Sequence, residues 1–125
     1  MLIRSFDDLS IYMIASELSS DVEKLVKLIP RHWQIPEVGQ ILRSSSSVQA
    51  NIAEGFSQRF YPKKFILYLN IALGSSDETK NHWVKLIDDR HLHRAKSEEI
   101  TKKYKNLSVR ILNFINYLRK KHNID

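Results

Sequence analysis

Val48–Glu78 reads V-Q-A-N-I-A-E-G-F-S-Q-R-F-Y-P-K-K-F-I-L-Y-L-N-I-A-L-G-S-S-D-E. It has the pattern of a helix end, a short turn and the first half of another helix. Pro62 opens the second part, where its missing N–H leaves nothing unpaired. Small and apolar residues dominate. A few polar ones stand apart: Asn51, Glu54, Asn70, Asp77 and Glu78. No catalytic arrangement stands out.

Working back from this stretch, Ile41, Ser45, Val48, Ile52 and Gly55 recur at spacings of 4, 3, 4 and 3. That is one face of a helix packed nearly parallel to its neighbours. Half of this seam is small, so another backbone must come close. The run Ser44–Ser47 lies inside the pattern. It therefore reads as helix with small packing positions, not as a linker or a modification site. Pro36 starts this helix and Gly55 reads as its C-terminal signal. The expected span is 36–56.

Working forward, Phe65, Leu69, Ala72, Ser76, Thr79, Trp83 and Leu86 continue the same rhythm over a helix expected at 62–89. Its first half, Phe65–Leu73, is apolar nearly all round. In so small a domain that points to a subunit interface. Gly74 sits in mid-helix at a cost of about 1 kcal/mol relative to Ala. Close helix packing would explain its presence.

Two outer helices complete the pattern. Ile11, Ala15, Leu18, Val22, Leu25 and Ile29 mark one over 7–28, with Ser5 as cap, Asp8 three residues on and Pro30 as terminator. Ile100, Tyr104, Leu107, Ile111, Phe114 and Leu118 mark the other over 97–122, with Ser97 as cap and Glu98 and Glu99 in its first turn. Val109, Leu112 and Tyr117 fall off its seam, a second hint of association. Four helices with short connections define an all-α, antiparallel up-down-up-down four-helix bundle, one domain over residues 1–125.

Composition agrees. Gly and Pro number three each in 125 residues, too few for a turn-rich β fold. There is no Cys, which excludes disulfides and thiolate chemistry. Asp7 and Asp8 interrupt any export signal, and no run of about 18 apolar residues exists to span a membrane. A cytoplasmic setting is expected. Residues 90–125 hold ten Lys and Arg against three Asp and Glu, a net of +7. Residues 1–89 hold ten against eleven, a net of −1. The localised excess fits an anionic partner, most simply nucleic acid, and equally a solvated face that keeps the protein soluble.

Catalytic and metal signatures are sparse. His91 and His93 flank Leu92, but no His-x-x-x-His or Glu-x-x-His pattern supports a metal site. Glu54 and Glu78 could form a carboxylate pair, yet helix-to-helix hydrogen bonding suits them better. Gly74-Ser75-Ser76 has no preceding strand and no following Lys in phosphate-loop spacing. No nucleophile-elbow pattern occurs. Trp33, Phe60, Tyr61 and Tyr68 could stack on bases beside Arg59, Lys63 and Lys64. Phe60 and Tyr68 read better as core or interface residues, while Tyr61 and Trp33 remain open.

Ser47–Phe56 resembles the Ser-Ile-Pro-x-Asn-Ile-Ala-Glu-Gly motif of bacterial four-helix bundle proteins. These are named after proteins encoded in intervening sequences of 23S ribosomal RNA genes. Leu69–Glu78 is similar to that family's Leu-x-Ile-Ala-x-Gly-Ser-x-x-Glu block. Phe6–Leu9 and Gln40–Arg43 fit as well. The chain departs at Gln49, where the family has Pro, which implies a less kinked second helix. It departs again at Leu42, where a second basic residue often stands. The resemblance implies a cytosolic bundle, commonly a homopentamer. Related accessory variability determinant proteins of diversity-generating retroelements bind a reverse transcriptase and nucleic acid.

The expectation is a non-enzymatic oligomer that binds RNA or DNA through Lys102, Lys103, Lys105, Arg110, Lys120 and Lys121, with Arg59, Lys63 and Lys64 as a second cluster. Arg43, Asn51, Glu54, Gly55, Gly74 and Glu78 are expected to be structural, with Asn51, Glu54 and Glu78 partly buried. No catalytic residue, metal or cofactor is expected. The alternative is a scaffold that binds another protein, such as a reverse transcriptase.

Overall fold

The chain is described by a computed structural model over residues 9–33 and 35–125. Four α-helices follow one another: α1 (Ser10–Val26), α2 (Pro36–Ser57), α3 (Pro62–Asp88) and α4 (Arg94–Lys121). A single 3₁₀ turn, Arg31–Trp33, lies between α1 and α2. Among the described residues the backbones approach closely from α1 to α2, α2 to α3, α3 to α4 and α1 to α4, and not across the diagonals. Four helices arranged this way, joined in chain order, form the expected four-helix bundle.

The seams of α2 and α3 are buried at every expected position. Ser44 and Ser45 are buried too, so the serine run is helix packed against its neighbours. The centre holds Trp83, Tyr104, Ile41, Ile52, Leu69, Leu86, Leu107 and Ile111, all fully buried. Trp83 Nε1 donates to the Ser97 carbonyl at 2.9 Å, which ties α3 to the first turns of α4.

Several expectations need correction. α4 begins at Arg94, so Ser97 is buried inside the helix and does not cap it. The core of α4 turns from Ile111 to Ile115 and leaves Phe114 half-buried. In α1, Val26 is buried where Leu25 was expected. Both shifts go the same way. A 4-3 repeat averages 3.5 residues per turn, and a straight helix at 3.6 drifts by about 20° per heptad. The expected cap at Ser5 and the residues through Asp8 lie outside the described residues.

Two glycines have roles other than those expected. Gly55 does not stop α2, which continues to Ser57, and no glycine has positive φ. It is instead the point where α3 comes closest. A Cβ there would lie 3.0 Å from both Phe65 Cδ1 and Tyr68 Cβ. Gly74 shows the opposite. It is exposed, and no atom lies within 4 Å of where its Cβ would be, so close packing within the chain does not explain it. On the apolar first half of α3, Leu67 and Ile71 are exposed in the single chain.

Gly55→Ala adds atoms to a tight contact. Overpacking costs about 1–3 kcal/mol, more than the gain of about 1 kcal/mol in helix propensity. Gly74→Ala gains the propensity alone. Urea unfolding should show the first variant destabilised and the second stabilised.

The Tyr104 hydroxyl finds no hydrogen-bond partner among the described residues. Burial, and to a lesser degree the Asp21 charge, pushes its pKa well above the ordinary tyrosine value. The unfolded chain releases this proton near pH 10, where the folded protein still holds it. The contribution of this group to stability is therefore fully present below about pH 10 and is lost as pH rises beyond it. Tyr104→Phe removes an unpartnered buried hydroxyl. It should be as stable as wild type or more so at pH 7, and its stability should fall less steeply above pH 10.

Candidate nucleic-acid interface

Apart from half-buried Arg119, the cations of α4 are exposed, but they do not form a single stripe. At about 100° per residue, Lys102 and Lys120 lie opposite core-facing Ile111. Lys103 and Arg110 turn toward α1, where they line a groove of ≈ 270 Å³ with Glu17 and Asp21. Lys121 falls on that same side and Lys105 on the side toward α3. Lys103 Nζ is 3.4 Å from Glu99. Lys102, Lys105, Arg110, Lys120 and Lys121 form no ion pair with any described residue.

Arg59, Lys63 and Lys64 sit at the α2–α3 turn. Backbone hydrogen bonds hold this turn closely: Arg59 N–H to the Phe56 carbonyl at 3.0 Å and Tyr61 N–H to the Gln58 carbonyl at 2.8 Å. The Arg59 guanidinium carbon is 4.3 Å from the Phe56 ring centroid and 4.5 Å from that of Phe60. Its Nη1 donates to the Phe56 carbonyl at 3.2 Å. Lys64 Nζ lies 5.0 Å from the Tyr61 ring. Phe60 is 78% exposed, so it is not part of the core of this chain. A turn four residues long leaves its side chain no path to the core. Tyr68, in contrast, is half-buried beside Gly55.

Antiparallel packing places this turn and the last turn of α4 at the same end of the bundle. Phe65, next to the turn, meets Phe114 at 5.6 Å between centroids, and Phe114 meets Tyr117 at 6.2 Å. The opposite end carries Trp33, whose ring lies 5.5 Å from that of His91. One cation there, Arg94, is paired with carboxylates. Arg94 is 3.0 Å from Asp88 and 3.3 Å from Glu98.

The remaining motif residues serve the helix contacts unequally. Asn51 Nδ2 donates to the Ser47 carbonyl at 2.9 Å, and Ser47 Oγ meets Ser75 Oγ at 2.9 Å across α2 and α3. Thr79 Oγ1 lies 2.7 Å from Ser44 Oγ on α2. Glu78 is 3.7 Å from Arg43 and from His82. Glu54 departs from expectation. It is exposed, and its carboxylate has no bond to a described residue. Nor do Glu54 and Glu78 come together. Gly55 packs on Tyr68, ten residues before Glu78, which is about 15 Å along the helix axis.

Lys85 lies 2.9 Å from Glu37 and holds its carboxyl below the usual range. A mostly aliphatic cleft of ≈ 480 Å³ lies between the C-terminal part of α1 and the start of α2. Among the described residues, no group of three or more His, Cys, Asp or Glu is placed to hold a metal ion. No described helix is long and apolar enough to cross a membrane.

The geometry thus defines a four-helix bundle with an exposed, basic last helix. Residues 7–113 match the family described as 23S rRNA-intervening sequence protein, and the chain belongs to that family. A similar solved structure is a protein of unknown function from the S23 ribosomal protein family of Bacteroides thetaiotaomicron VPI-5482. It is 28% identical, with a TM-score of 0.76, and the match covers 84% of this chain and 97% of that one. Among curated proteins, none matches this chain.

Proposed function

We propose that this protein is a non-enzymatic, oligomeric, cytoplasmic bundle that binds RNA or DNA through the phosphate backbone. The observation that carries this reading is the charge. Residues 90–125 hold a net +7, and their cations on α4 are exposed with few carboxylate partners. Lys and Arg at phosphates release condensed counterions, which gives affinity without base readout. Cations spread around a helix suit that mode, since no side-chain set is aligned to read base edges. The separation of Glu54 from Glu78 supports the non-enzymatic reading.

Oligomerisation is supported by exposed apolar side chains on two helices. Leu67 and Ile71 on α3 and Val109 and Leu112 on α4 are all exposed. The contacts of Ser76 with Ser108 and of Phe65 with Phe114 bring these four to similar heights on adjacent helices. The family resemblance points to five subunits, and a ring would repeat the basic segment around itself. Light scattering at micromolar concentration should find an assembly of about five chains. A stable monomer would contradict it.

A second reading draws on the same apolar surface. It makes the protein a scaffold for another protein, such as a reverse transcriptase, with its charge serving solubility. Filter binding to generic RNA separates the two. Wild type should bind at low salt and weaken steeply as salt rises. Replacing Lys102, Lys103 and Lys105 together by Gln should weaken binding to all sequences alike and reduce the salt slope, with the fold intact. No wild-type binding at low salt would favour the scaffold.

A further inference from the structure

Phe60 has no packing role that accounts for it. It is 78% exposed at the tip of a turn held by backbone hydrogen bonds from Gln58, Arg59 and Tyr61. Tyr61, beside it, is 61% exposed. A turn needs neither ring, and polar residues would serve it at lower cost in exposed apolar area. Yet the rings are held in place. Arg59 lies against Phe56 and Phe60 at similar distances, so a buried ring, a guanidinium and an exposed ring follow in series. Lys64 does the same for Tyr61 at 5.0 Å. The cation contacts fix the exposed rings and keep a positive charge within one ring's width of each.

This combination matches a particular class of ligand. An unpaired nucleobase gains by stacking on an aromatic ring, and the phosphates beside it gain from adjacent cations. A duplex hides its base faces and offers only phosphates and groove edges. We propose that the α2–α3 turn is a stacking platform for single-stranded nucleic acid, with Phe60 and Tyr61 receiving bases and Arg59, Lys63 and Lys64 meeting phosphates. Lys120 and Lys121, at the same end of the bundle, extend the positive surface. The opposite end is a poorer candidate. Its exposed ring, Trp33, packs on His91, and its Arg94 is taken by Asp88 and Glu98.

This inference rests on the nucleic-acid reading above and narrows it to strands with free bases. The test is fluorescence-anisotropy binding of a labelled oligothymidylate and of a mixed-sequence duplex of equal length. Wild-type protein is compared with Phe60→Leu/Tyr61→Leu. The substitutions keep apolar side chains and all charges, and both sites are exposed, so circular dichroism should show an unchanged fold. Wild type should prefer the single strand. The variant should lose about ten-fold in single-strand affinity, within the range for lost base stacking, and keep its duplex affinity and its salt slope. Equal wild-type affinity for both ligands, or single-strand binding by the variant within two-fold of wild type, would overturn the platform and leave phosphate binding intact. Failure of wild type to bind either ligand at low salt would overturn both.

Discussion

The contact between α2 and α3 governs the rest of the molecule. Gly55 lets α3 approach until Phe65 and Tyr68 touch the α2 backbone. Close approach brings short hydroxyl side chains within reach of one another: Ser44 with Thr79 and Ser47 with Ser75. Ser44 and Thr79 are buried and Ser47 and Ser75 half-buried, so a slip in register would break hydrogen bonds between the helices at two heights. Spacing the hydroxyl pairs along the helices fixes their relative height as well as their separation. The turn that joins them is then short, and Phe60 must sit on its outside.

The same logic extends to α4. Ser108 donates to Asp77 Oδ1 at 2.7 Å and lies 2.8 Å from Ser76 Oγ. Its one proton is engaged with the carboxylate, so Ser76 is the donor in the second bond. Together with the Trp83 bond to Ser97, this sets α4 against α3 at both polar and apolar levels. The cations of α4 are then exposed because the buried arc is already occupied. Their distribution over the outer surface follows from helix geometry.

Much of this was legible in the sequence, because apolar and small residues recur at helical spacing. The seams of α2 and α3 needed no correction. Errors arose where two patterns compete. A 3.5 repeat and a 3.6 helix diverge over length, which moved burial from Leu25 to Val26 and from Phe114 to Ile115. Ser97 has the composition of a cap, but the helix starts earlier and Ser97 lies beneath Trp83. Gly55 has the composition of a stop signal, yet its missing side chain serves packing. Of the candidate site, the cations and their exposure were legible. The placement of Phe60 was not, because an aromatic residue between two helices reads as core until the turn's length and contacts are known. Glu54 was misread for the converse reason. Within a motif of small and apolar residues, an isolated carboxylate reads as partly buried, whereas the helix turns it outward.

The central claim is that charge and exposed rings make this bundle a ligand for nucleic acid at a defined place. Hydrogen exchange with and without an oligothymidylate tests it most directly. Slower exchange should appear at residues 57–64 and in the last turns of α4, with residues 31–33 and 89–93 unchanged. Protection confined to 31–33 and 89–93, or no protection anywhere under conditions of measured binding, would contradict it.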